Sequence, residues 1–164
     1  MNESPLLVFG GGTALSAGDP LARADLAVST RGLNHVVDHA VSDFVVTVEA
    51  GCRLAELQRA LAPHRQWLAI EPPDQEQATI GGLIATAATS LVAASHGTLR
   101  NHLLGIRVLH ADGRFAKAGG RVVKNVAGYD LMKMHHGALG TLGIVAAATF
   151  RLRPGYRMRQ HRAG

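Results

Sequence analysis

Lys124-Asn125-Val126-Ala127-Gly128-Tyr129-Asp130-Leu131 leads, after five residues, into Gly137-Ala138-Leu139-Gly140-Thr141-Leu142-Gly143-Ile144. Four glycines in these twenty-one residues surround one Tyr-Asp pair and run into an apolar strand. Glycine permits positive φ and leaves room where a Cβ would meet something bound, so the pattern points to backbone held close to a ligand. Tyr129 to His135 reads as a short helix, with Asp130 a favourable first-turn residue. Ile144 to Leu152 reads as the final strand before Pro154.

Nearer the N-terminus, Leu6-Leu7-Val8-Phe9 is an apolar run stopped by Gly10-Gly11-Gly12-Thr13, a strand entering a glycine turn. Asn34 to His39 and Phe44 to Glu49 read as strands joined through Val41-Ser42-Asp43. Leu54, Leu57 and Leu61 recur at helical spacing and predict an amphipathic helix over 53–62, ended by Pro63. Pro72-Pro73 marks a break between two halves. Beyond it, Thr79-Ile80-Gly81-Gly82 opens an alanine-rich helix running through Ala85, Ala87 and Ala88. Leu103 to His110 predicts a strand, Asp112-Gly113 a hairpin turn and Phe115 to Ala118 the returning strand. This order argues for an α+β fold and against an alternating parallel sheet.

At 164 residues the chain is one domain, or two small lobes sharing a ligand cleft. Its 47% hydrophobic content and 19 glycines fit a globular protein. Only seven aromatic residues predict a core of Ala, Val, Leu and Ile. The net charge of +5 is concentrated at the end of the chain. Arg151, Arg153, Arg157, Arg159 and Arg162 lie in the last fourteen residues, without an acid, leaving 12 basic against 12 acidic residues before them. Such a tail either meets phosphates or an anionic membrane, or is simply a solvated terminus. Without interleaved aromatics it does not predict nucleic-acid binding. The single cysteine, Cys52, excludes an internal disulfide and is read as structural. No leader and no apolar run of about 18 residues is evident, which predicts no transmembrane segment and a cytoplasmic location.

Two segments suit a diphosphate, whose charge is best met by converging backbone N–H groups. Gly10-Gly11-Gly12-Thr13 follows a strand and Gly81-Gly82 starts a helix. Taken alone each is a weak signal, since glycines after a strand are most often ordinary turns. The first lacks G-x-G-x-x-G spacing, so a Rossmann fingerprint is not indicated.

Taken in order, these segments resemble the FAD-binding domain of the glycolate oxidase family, in the wider group of vanillyl-alcohol oxidase and para-cresol methylhydroxylase. The resemblance covers roughly residues 6–154 and is nearest to the FAD-binding subunit of bacterial glycolate oxidase. It implies a two-lobed α+β domain: a small N-terminal α/β lobe over about 1–73 and a larger lobe, mainly an antiparallel sheet flanked by helices, over about 74–154. Residues 155–164 would be a basic tail. By resemblance, Gly10, Gly11, Gly12 and Thr13, with Thr79, Ile80, Gly81 and Gly82, grip the FAD pyrophosphate. Ala85 and Thr86 let the helix lie against the cofactor, and Gly97, Thr98 and Asn101 match the following turn. Gly143, Ile144 and Val145 would carry the adenine end. Asn101 stands where the family usually has aspartate, Phe9 where a basic residue or proline is common, and Thr89-Ser90-Leu91 where a glycine-rich turn is usual. No histidine occurs over 10–18, so FAD is expected to bind non-covalently.

Lys124 either neutralises phosphate or flavin charge or faces solvent. His35, His39, His135 and His136 read as satisfied surface histidines, and no metal site is expected without three or four converging ligands. No catalytic base is identifiable. The resemblance implies oxidation of a 2-hydroxy acid by an FAD-binding subunit or module of a glycolate-oxidase-like enzyme with partner subunits. The alternative is a non-catalytic flavin-binding or assembly subunit whose partner oxidises the substrate. Family members continue into a second domain carrying most substrate contacts, which this sequence is expected to lack.

Overall fold

The computed structural model describes residues 5–16, 23–120 and 131–155. Its centre is a five-stranded antiparallel sheet in the order β3 (Val36–Ala40), β4 (Val45–Glu49), β8 (Ile144–Arg151), β6 (Leu103–Leu109), β7 (Phe115–Gly119). A separate parallel pair joins β1 (Leu6–Phe9) to β2 (Leu26–Ser29), with Phe9 opposite Ser29. The chain is therefore α+β, as its element order predicts, and the parallel pair is an addition that the order did not reveal.

Alternation explains the sheet. In β4, Val46 and Val48 turn inward, while Thr47 and Glu49 are only partly covered. In β8, Ala148 and Phe150 face the same core. Thr47 lies directly opposite Thr149, and their hydroxyls are 2.9 Å apart. The expected Asp112-Gly113 hairpin joins β6 to β7, with Gly113 at φ +80 and Asp112 Oδ1 accepting the Arg114 amide.

Helix α1 (Leu54–Leu61) covers one part of this face, burying Leu54, Leu57 and Leu61 as their spacing predicts. Each such leucine contributes roughly 1.5–3 kcal/mol by leaving water. Gln58 ties the helix to Leu68, donating to its carbonyl at 2.7 Å and accepting its amide at 3.1 Å. Cys52 is buried beside α1. Burial, reinforced by the Glu56 carboxylate, raises its thiol to about 11, consistent with a structural residue.

Helix α2 (Ile80–Ala85) is shorter than the alanine-rich sequence predicts. Thr86 ends it, donating its hydroxyl to the Gly82 carbonyl at 2.8 Å, and Ala87 turns left-handed at φ 48. A hydroxyl that bonds back to the helix, followed by a positive φ, outweighs alanine propensity here. Short elements missing from the sequence reading complete the fold: β5 (Gln66–Trp67), α3 (Ala93–His96), α4 (Leu99–His102) and β9 (Arg153–Pro154). β5 pairs with β9. Helix α5 (Leu131–His135) precedes β8, whereas Tyr129 and Asp130 lie outside the described residues. Among the described residues no helix is long and apolar enough to cross a membrane.

Candidate functional site

The glycine turn after β1 and the start of α2 touch. A Cβ on Gly10 would collide with Thr79 Oγ1, and one on Gly11 with the Gln77 carbonyl. These two glycines are thus demanded by the protein's own close approach of two loops. Thr79, 2% exposed, joins them: its hydroxyl oxygen accepts the amides of Gly82 and Gly11, each at 3.4 Å.

The start of α2 and the glycine turn differ in their backbone donors. At the start of α2, the Ile80 amide donates to Cys52 O at 2.9 Å, and that of Gly81 to Ala50 O at 2.7 Å. With Gly82 bonded to Thr79, the first three donors of the helix are all used inside the chain. The Ile80 side chain is fully buried in the core. The amides of Gly12, Thr13 and Ala14, in contrast, have no partner among the described residues. Gly12 and Thr13 are exposed, and Gly12 has φ +82.

A cleft of about 60 Å³ opens between these loops and β8. Gly81, Gly82 and Ala85 of α2 line one side, with Gly143, Ile144 and Val145 opposite and Phe9 and Gly10 at the edge. Thr86 sits at the end of the same helix. The loop before β8 is pinned to α2, for Gly137 N donates to Ile84 O at 2.9 Å and Leu139 N to Ala85 O at 2.8 Å. Gly137, Leu139 and Gly140 all have positive φ, at 84, 51 and 80. Among the described residues, the cleft lining carries no titratable side chain.

Other predicted residues lie elsewhere. Gly97, at φ +85, ends α3, and Thr98 caps α4 with Asn101: the Thr98 amide and hydroxyl donate to Asn101 Oδ1 at 2.8 and 2.9 Å. Asparagine at this position thus serves a local cap, and none of the three lines the cleft. Lys124 lies outside the described residues. Sequence reasoning missed Thr30, buried at the cleft edge with its hydroxyl donating to Phe9 O at 3.3 Å. It also missed Arg31, whose Nε donates to Gly10 O at 2.9 Å and Nη2 to Gly11 O at 3.3 Å. Both follow β2, the strand that was not foreseen.

The histidines differ from a uniformly satisfied surface set. His35 does pair with Glu49, at 3.0 Å, and His39 meets Gln66 Oε1 at 2.8 Å. His136 Nε2, however, is buried with no hydrogen-bond partner among the described residues, and burial holds both His135 and His136 below the ordinary histidine value. Two roomier hollows, of about 230 Å³ on the outer sheet face and about 320 Å³ beside α5, touch neither the Gly10–Thr13 turn nor the start of α2.

Open amides on a glycine turn, beside a floor of small uncharged residues, suit a ligand with an anionic diphosphate and flat apolar parts. The architecture is found in solved structures of alkyldihydroxyacetonephosphate synthase, one of which superposes with a TM-score of 0.78 at 22% identity, covering 92% of this chain and 27% of that one. The family model described as FAD binding domain matches residues 1–119, and the chain belongs to that family, with FAD as its cofactor. The D-lactate dehydrogenase of Archaeoglobus fulgidus is 38% identical over 159 residues, 95% of this chain and 35% of that protein. The glycolate oxidase subunit GlcE of Escherichia coli is 31% identical over 154 residues, 93% of this chain and 43% of that protein. The chain thus spans less than half the length of either relative.

Proposed function

We propose that this chain is the FAD-binding portion of a flavin-dependent oxidoreductase acting on 2-hydroxy acids, with FAD held non-covalently in the cleft between the two glycine loops. The observation that carries this reading is the joining of the Gly10–Thr13 turn to Thr79, which leaves the amides of Gly12, Thr13 and Ala14 open. These amides would take the diphosphate. Gly81, Gly82 and Ala85 would let the cofactor lie against α2, and Gly143, Ile144 and Val145 would take its adenine end. The 2-hydroxy-acid class is supported by the similarity to a D-lactate dehydrogenase and to a glycolate oxidase subunit.

FAD, when bound, supplies the two-electron oxidation of the alcohol carbon. The chain supplies binding and orientation. Among the described residues the cleft lining holds no titratable side chain, which supports assigning the groups that bind the substrate carboxylate and accept its hydroxyl proton to other segments or a partner subunit. That same observation favours a second reading, in which this chain binds flavin and a partner subunit carries the substrate oxidation.

Anaerobic mixing of the FAD-loaded chain with glycolate, D-lactate and L-lactate tests both. Slow bleaching that accelerates when a partner protein is added supports the division of labour. Fast bleaching by the chain alone, near the roughly 10 per second of competent enzymes, shows a complete active site and removes the second reading. Failure to bind FAD at all overturns both.

A further inference from the structure

We propose that Arg31 is a positioning residue for the cofactor diphosphate: its guanidinium holds two successive carbonyls of the glycine turn so that the Gly12 amide faces the anion. This rests on the cleft reading above. The parallel pairing of β1 with β2 brings residue 31 alongside the turn, and Thr30 anchors that approach by donating its amide to Phe9 O at 2.9 Å. From there Nε of Arg31 reaches Gly10 O at 2.9 Å and Nη2 reaches Gly11 O at 3.3 Å.

A trans peptide points its C=O and its N–H in opposite directions. In the peptide between Gly10 and Gly11, the carbonyl is held by Arg31, and the opposite N–H meets Thr79 Oγ1 at 3.4 Å. In the next peptide the carbonyl is again held by Arg31, so the Gly12 N–H must point away from the guanidinium. No described residue accepts it. Gly12 at φ +82 follows Gly11, which is not in the positive-φ region. The turn thus presents the Gly12 amide outward while the Gly11 amide is used by Thr79. A planar fork with fixed spacing suits two neighbouring carbonyls better than a single ammonium does.

The test is titration of FAD into wild type, Arg31→Met, Arg31→Lys and Thr79→Val, followed by flavin fluorescence at two ionic strengths. The ¹⁵N–¹H resonances of Gly12 and Thr13 are monitored in parallel. The Met variant is expected to bind FAD about tenfold more weakly, the size of one well-placed hydrogen-bonding group. The Lys variant should recover little of that loss, and the salt dependence should keep its wild-type slope, since Arg31 acts on carbonyls and not on phosphate. The Gly12 amide should move on FAD addition in wild type and move far less in both variants.

Full recovery by lysine, with a flatter salt dependence in the Met variant, would mean direct pairing with phosphate and would overturn the proposal. Wild-type affinity in both variants would overturn it too. Should the Met variant fold poorly, the Lys variant and the Gly12 resonance decide. The two ideas fail separately. If Thr79→Val weakens binding but neither Arg31 variant does, only the role of Arg31 falls. If FAD binds wild type without moving Gly12, and Thr79→Val is silent, the cleft reading itself falls.

Discussion

Replacing Thr79 by valine removes one oxygen and keeps nearly the same shape, which isolates the contact that joins the two glycine loops. Thr79 Oγ1 accepts two amides and is almost wholly buried at 2% exposure, so water cannot fully replace it. Loss of an N-cap acceptor costs about 1 kcal/mol. A second amide left without a buried partner adds about 1–3 kcal/mol. Both contacts are long at 3.4 Å, which places the sum near the lower end, at about 2 kcal/mol. For a chain of this length, roughly 2–4 °C per kcal/mol applies, so thermal unfolding should fall by about 4–8 °C. A loosened glycine turn should also weaken FAD about tenfold, corresponding to some 1.4 kcal/mol. Thr79→Ser retains the oxygen and should stay within about 0.5 kcal/mol of wild type. Differential scanning calorimetry and FAD titration on the three proteins read these effects. If valine matches wild type, or if serine is as damaging as valine, the hydroxyl does not join the loops in the way described.

Other outcomes are expected from the same geometry. The chain should bind FAD in preference to FMN, because the open amides suit a diphosphate, and acid precipitation should leave the flavin in the supernatant. Comparable affinity for FMN, or colour retained in the pellet, would refute these respectively. Cys52 should react negligibly with a thiol reagent at pH 8 in the native protein, since burial raises its pKa to about 11; rapid modification without unfolding would contradict that environment. Stability should fall as pH drops below 6.5, the ordinary histidine value, because burial lowers the folded pKa of His102, His135 and His136. The unfolded chain takes up those protons first, so the loss begins at 6.5 and ends below the folded values. His102→Leu should flatten this slope in urea unfolding at pH 7.5 and 5.5, and an unchanged slope would place the effect elsewhere. Phe150→Ala, in the centre of the sheet core, should cost about 3–5 kcal/mol in the same assay.

Much of the fold was legible because one face of each long element is buried. The leucines of α1 and the alternating β4 and β8 announce themselves through periodicity, and Asp112-Gly113 through turn chemistry. The parallel β1–β2 pair was not legible: Leu26–Ser29 is short, largely exposed and paired through backbone alone. With that strand unseen, Thr30 and Arg31 carried no signal, although they border the glycine turn. The length of α2 was misread for a different reason. Alanine propensity favours continuation, but Thr86 and Ala87 are fixed by bonds to Gly82 and Ile84 carbonyls. Asn101, expected beside the cofactor by resemblance, also caps α4 through Thr98, because a local cap and a ligand contact draw on the same polar residue types.

A glycine-rich motif beside a cofactor suggests that each missing Cβ makes room for the ligand. Here Gly10 and Gly11 are excluded from carrying a Cβ by Thr79 and Gln77, and Gly81 by Ala50, whose Cβ would lie 2.9 Å away. Gly12 differs, since its ideal Cβ meets nothing nearer than the Leu15 side chain at 3.6 Å, and its constraint is φ +82. The first group therefore acts through the protein, by letting two loops close on each other, while Gly12 acts through backbone hand, by aiming open amides. Substitution should separate the two. Gly11→Ala forces loops apart and should lower both stability and FAD affinity. Gly12→Ala pays only the strain of a left-handed alanine, about 1–2 kcal/mol, and relieves it by turning the peptide that presents the amide. Its loss of FAD affinity should therefore exceed what its change in stability explains.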